Sequence, residues 1–158
     1  MTELLERYRP IVGSEIIDEL IQMARILKGI KVLHINSTRY GGGVAEILSM
    51  MEQLTNAVGI ETKWETIQGT TDFFRVTKGF HNALQGKKEI AFQENCFTTY
   101  ETVSAENALA LQSKIENADV VFIHDPQPAA LIQHFQGRRN KWVWRCHIAL
   151  SSPKRRVW

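Results

Sequence analysis

Residues 31–51, KVLHINSTRYGGGVAEILSMM, leave few folds open to this chain. Lys31–Ile35 is a short apolar run that follows a glycine and precedes polar residues, which is the pattern of a buried strand. Asn36, Ser37 and Thr38 break the run, and Gly41, Gly42 and Gly43 follow. A 3.6-residue apolar period then starts at Val44 and continues through Ile47, Leu48, Met51, Leu54 and Val58. Strand, glycine turn and helix in that order predict one parallel-sheet unit. Glycines let the backbone turn sharply and approach a ligand closely. The unpaired N–H groups of the helix that follows favour an anion such as a phosphate. Two familiar phosphate motifs do not fit. With Gly41 and Gly43 as the first two glycines of a dinucleotide fingerprint, the third position holds Glu46, and no Gly-Lys-Ser/Thr is present. A turn that merely fits helix to sheet is the competing reading.

The other segments repeat the alternation. Ahead of the first strand, Glu3–Tyr8 is expected as a short helix ended by Pro10. Ser14 is expected to cap a second helix striped by Ile16, Ile17, Leu20, Ile21, Ala24 and Leu27. Residues 60–67 read as a second strand, with Thr62, Trp64 and Thr66 alternating against charged neighbours. Residues 72–84 read as a helix with Phe73, Val76, Phe80 and Leu84 on one side, residues 87–97 as a loop, and residues 100–117 as a helix. In that last helix Val103, Ala105, Ala108, Leu109, Leu111 and Ile115 are expected to face mostly inward. Residues 119–123 form a continuously apolar third strand, residues 128–135 a short helix opened by Pro128, and residues 141–148 a fourth strand. The expected fold is α/β, a Rossmann-like parallel sheet flanked by helices. Residues 1–29 form a helical leader and residues 30–158 the domain proper. Ligands of such sheets lie beyond the carboxyl ends of the strands, where Asn36–Gly43, Gly69–Asp72, His124–Gln127 and His147–Ser151 fall.

Four blocks in this order, HINST-x-YGGGVAE, DFFRVTKGFHNALQG, HDPQP and WRCHI, resemble the N-terminal domain of the trehalose-forming retaining glycosyltransferases. These are the trehalose synthases and trehalose phosphorylases, enzymes of the two-domain GT-B class. The resemblance implies the acceptor-binding half of an enzyme that moves glucose from a nucleotide-glucose donor to glucose. The donor-binding domain, and with it most donor contacts, belongs to the other half. On this reading the chain is truncated at its C-terminus and inactive alone. It would work with a separate donor-domain chain or as a homodimer. Within the resemblance, some of Lys78, His81 and Asn82 contact sugar, and Ala149 stands where the family usually has Asp.

His124 and Asp125 are the candidate catalytic residues. A histidine at a strand end can offer its ring or its backbone carbonyl to a sugar hydroxyl, and a carboxylate can accept from two hydroxyls. Asp125 as a cap for the next helix is the structural alternative. The triple glycine can offer backbone N–H groups to a leaving diphosphate. Asn36, Gly41, Gly42, Gly43, Lys78, His81, Asn82 and Arg145 complete the candidate substrate-binding set. No cofactor or metal is implied, since Cys96 and Cys146 lack metal-site spacing and suit a reducing, cytoplasmic setting.

Charge and hydropathy exclude other classes. No apolar run reaches the roughly 18 residues a membrane span requires. The mixed-charge start MTELLERYRP is not a secretory signal. From Pro126 onward there are 7 basic residues and no acidic one, against 12 basic and 17 acidic before it. A basic end can meet nucleic acid, an anionic substrate or a partner domain. Without an RNA-binding signature or aromatic ladder, nucleic acid is the minor reading. A one-domain sugar or anion binder without catalysis, or a trehalose phosphorylase fragment, are the remaining alternatives.

Overall fold

The computed structural model describes residues 3–87, 92–150, 152–155 and 157. Helices α1 (Glu3–Val12) and α2 (Ser14–Arg25) precede strand β1 (Lys31–Asn36), helix α3 (Gly43–Ala57) and strand β2 (Glu61–Thr66). Helices α4 (Thr71–Leu84) and α5 (Glu94–Glu116) lead to strand β3 (Val120–His124), a 3-10 helix (Ala129–His134) and strand β4 (Lys141–Arg145). The strands form one four-stranded sheet in the order β2-β1-β3-β4, and every pairing is parallel. The chain is therefore Rossmann-like α/β, the architecture of the N-terminal half of a GT-B enzyme.

The core lies where apolar strand faces meet α5. Leu33, Ile35, Val121 and Ile123 pack with Phe73, Leu111, Ile115 and Leu131. A smaller cluster of Ala45, Leu48 and Trp64 fills the α3 side. The outer edge of β2 is covered by side chains of α3 rather than by another strand. Asn56 donates to the Thr62 carbonyl at 2.9 Å and accepts from the Thr62 N–H at 3.1 Å. Glu52 accepts from the Trp64 N–H at 3.0 Å, and the Arg39 guanidinium lies 4.5 Å from the Trp64 ring centre and donates to the Trp64 carbonyl. These bonds occupy backbone groups that an open edge would offer to another chain. One buried residue does similar work at the end of β2: Asn107 of α5 accepts from the Gln68 N–H at 2.6 Å and donates to its carbonyl at 2.7 Å.

Several boundaries differ from expectation. Pro10 lies inside α1, which runs on to Val12. In the last turn a proline removes a single bond, and the helix absorbs it. Gly13, not Ser14, caps α2, at φ 92° and without a side-chain bond. Of the expected stripe on α2, Ile17 and Ala24 are buried, while Ile16 and Leu27 are exposed. Residues 94–97 belong to α5 instead of a loop, and residues 88–91 of that expected loop lie outside the described residues. Leu109 points to solvent because Ser104, Asn107, Ala108 and Leu111 define the buried side of α5. The short helix after Pro128 is of the 3-10 type. Strand β4 stops at Arg145, because the His147 N–H bonds to the Asp125 side chain and not to a strand.

Candidate functional site

Parallel pairing sets β1 and β3 side by side, with His34 opposite Phe122. His124 lies two residues beyond Phe122 and so shares its sheet face, one step nearer the carboxyl edge. The two histidines meet there: His34 Nδ1 is 2.9 Å from His124 Nε2. On the other side β4 delivers His147, whose Nε2 is 3.0 Å from His124 Nδ1. Three imidazoles thus run in a row across the edge of the sheet. His34 stacks on Phe122 with ring centres 4.9 Å apart, and His124 stacks on His147 at 5.3 Å. His34 and His124 are buried, whereas His147 is half-buried.

Burial keeps the inner rings uncharged. It pushes His34 down to about 4, helped by the positive charge of Arg145. His124 falls to about 3 through burial first, then through His34, His147 and Arg145. Both ring nitrogens of His124 are occupied by other histidines, so the ring edge left for a ligand belongs to His147.

Asp125 turns the chain at the end of β3. It has a φ of 64°, the one non-glycine residue in the left-handed region among the described residues. An aspartate tolerates this better than most residues. The turn lets its carboxylate accept from the His147 N–H at 2.7 Å. Its N–H donates to the Arg145 carbonyl at 3.0 Å, and its carbonyl accepts from Trp144 Nε1 at 2.9 Å. The bonds of Asp125 thus run to β4 and the residues after it, where the sequence allowed a helix cap as the alternative. Tyr100 of α5 fastens the next residues. Its hydroxyl donates to the Pro126 carbonyl at 2.7 Å and accepts from the Ala130 N–H at 3.1 Å, and burial pushes its own ionisation up to about 12. The Gln127 side-chain oxygen is buried there without a hydrogen-bond partner among the described residues.

The remaining candidates divide into exposed and committed groups. Gly41, Gly42 and Gly43 follow β1 at the same sheet edge and are exposed. Gly41 and Gly42 have φ of 75° and 84°, and a Cβ on any of the three would meet nothing within 4 Å. Backbone conformation, not crowding, requires glycine there. As N-cap of α3, Gly42 has no side chain to accept from the first-turn N–H groups. Asn36 is buried and its side-chain oxygen accepts from Trp64 Nε1 at 2.8 Å, so it ties β1 to β2. Arg145 is exposed at the end of β4. Lys78, His81 and Asn82 lie on α4. His81 is pushed down by burial first and then by the Lys78 charge, and the Asp125 carboxylate opposes this.

His34 was not singled out from the sequence, and His147 entered only as the first residue of the strand-end segment His147–Ser151, outside the candidate site set. Their signal was available, since a histidine stands at or near the carboxyl end of three consecutive sheet strands. Only the strand order shows that those three strands are neighbours.

Residues 34–158 match the family model described as trehalose synthase, N-terminal domain. The chain belongs to this family. It is 46% identical over 154 residues to the trehalose synthase of Pyrococcus horikoshii, covering 98% of this chain and 36% of that protein. To the trehalose synthase of Rubrobacter xylanophilus it is 45% identical over 157 residues, covering 97% and 37%. A more distant match is the trehalose phosphorylase of Pleurotus pulmonarius, 29% identical over 173 residues, covering 98% and 23%. The chain thus spans little more than a third of the trehalose synthases it matches. The family match begins at His34, so the first ring of the histidine row is also its first residue.

Proposed function

We propose that this chain is the acceptor-binding domain of a glycosyltransferase that moves glucose from a nucleotide-glucose donor to glucose, forming trehalose, and that it is inactive alone. The convergence of the Gly41–Gly43 turn, the Asp125 turn and His147 on one carboxyl edge carries this reading, and membership of the trehalose synthase family supports it. The exposed glycine turn supplies N–H groups suited to a diphosphate, and Asp125 with His147 supplies polar groups suited to sugar hydroxyls. Lys78 and His81 of α4 and Arg145 at the end of β4 are proposed to add polar and basic groups to the same site. His124 acts from beneath, holding the His147 ring. Residues 1–29 are proposed as a leader to this domain, and the contact of α1 with α3 supports that division.

Transfer requires two domains that close around donor and acceptor, orienting the reacting atoms and excluding water. One wall of such a cleft does not provide this. The purified 158-residue chain, incubated with UDP-, ADP- or GDP-glucose and glucose, is expected to form no trehalose. Steady turnover by the chain alone would contradict the reading. Trehalose appearing only after a separate donor-domain chain is added would establish it. Trehalose appearing with glucose 1-phosphate as donor would favour the phosphorylase alternative, which the similarity to the Pleurotus enzyme keeps in view.

A further inference from the structure

A ring-to-ring contact near 3 Å between two imidazole nitrogens holds one proton. Two protons there would collide, and none would set lone pair against lone pair. A neutral imidazole carries one N–H. His124 is engaged at both nitrogens, 2.9 Å from His34 and 3.0 Å from His147. Two neutral arrangements satisfy both contacts. In one, all three rings are protonated at Nδ1, so that His34 donates to His124, His124 donates to His147, and His147 Nδ1 faces outward as a donor. In the other, all three are protonated at Nε2 and every bond reverses, leaving His147 Nδ1 as an acceptor.

We propose that His34, His124 and His147 form one hydrogen-bonded array with a single shared tautomer, so that His147 meets a ligand hydroxyl as donor or acceptor according to a setting held in common with His34. His34 and His124 are positioning residues and His147 is the ligand-facing member. Passing from the first arrangement to the second moves one proton from His34 to His124 and one from His124 to His147. One proton leaves His147 Nδ1 for the ligand or water, and one arrives at His34 Nε2 from water, so the rings stay neutral throughout.

The surroundings favour neutral His34 and His124. A cationic His124, donating both ways, is the arrangement that would break the shared sense. Burial and the Arg145 charge oppose it, and Arg145 bears on His34 as well. The Asp125 carboxylate, the one acidic group at this turn, is bonded to the His147 backbone N–H. Among the described residues, no hydrogen bond is made by His34 Nε2 or by His147 Nδ1.

The ligand-facing role rests on the sugar-site reading above, whereas the shared tautomer does not. The test therefore has two arms. Long-range proton–nitrogen NMR of the 158-residue chain, labelled with 15N-histidine at pH 7, reports the protonated nitrogen of each ring. The expected result is the same nitrogen in all three, with scalar coupling across both N–H···N bonds. Opposite tautomers in any bonded pair, or a doubly protonated His124, would overturn the array. Glucose is then titrated into the same sample. A shift of the His147 ring signals accompanied by the His34 ring supports the ligand-facing role. Glucose-dependent shifts around Gly41–Gly43 and Asp125 with an unmoved His147 ring would overturn that role while leaving the sugar site. No response anywhere would overturn the role and the sugar-site reading together.

Discussion

At the residue scale, Asp125 combines a left-handed backbone with a carboxylate that holds the His147 N–H at 2.7 Å. Replacing it with alanine removes the acceptor and leaves a β-carbon in a backbone conformation that costs about 1 kcal/mol. The lost bond adds about 1 kcal/mol or more, because its donor is partly buried. Asp125→Ala is therefore expected to lower the unfolding free energy by about 2 kcal/mol. Asp125→Asn retains an oxygen in the same place and a residue that tolerates positive φ, so its cost stays below about 1 kcal/mol. Urea denaturation of the two variants measures the difference, and equal midpoints would show that the Asp125–His147 bond contributes nothing.

At the scale of elements, the sheet depends on helix side chains that stand in for missing strands. Asn107 bonds both backbone groups of Gln68 from α5, and Asn56 does the same for Thr62 from α3. Asn107 is 5% exposed, so the chain has placed a polar group in its core for these bonds. Asn107→Leu fills a similar volume but leaves a donor and an acceptor without partners. A loss of roughly 1–3 kcal/mol is expected, with faster amide exchange at Gln68. Unchanged exchange there would show that α5 does not hold the end of β2.

For the whole molecule, the histidine row links folding to pH. The folded chain depresses His34 to about 4 and His124 to about 3, below the ordinary value of 6.5. Between those limits the unfolded chain binds more protons, so stability is complete above pH 6.5 and falls as pH drops toward 4. Each unit of depression corresponds to about 1.4 kcal/mol, and the two rings together are expected to cost on the order of 5 kcal/mol by pH 4.5. The part of this loss between pH 6.5 and 5 lies above the ordinary carboxylate range and so reports histidine. Denaturation midpoints that stay level across that interval would contradict buried, neutral rings.

Much of the architecture was legible along the chain, because each element carries its own period. The apolar runs ending at Ile35 and Ile123 and the alternation of Thr62 and Trp64 are local patterns, and the four strands lie within a few residues of their expected positions. Local pattern was weaker where termination depends on a distant group. Strand β4 ends early because Asp125, 22 residues away, takes the His147 N–H, and α5 starts early where no strong apolar period marks its first turn. The candidate site was legible as a set of strand ends but not as a contact map. Gly41–Gly43 and Asp125 could be placed on one edge from the rule for parallel sheets. The histidine row could not, since His34, His124 and His147 are separated by 90 and 23 residues and meet only through the strand order β1-β3-β4. Periodicity is written in neighbouring residues, whereas the order of strands, and hence which side chains share a proton, emerges from packing the assembled sheet.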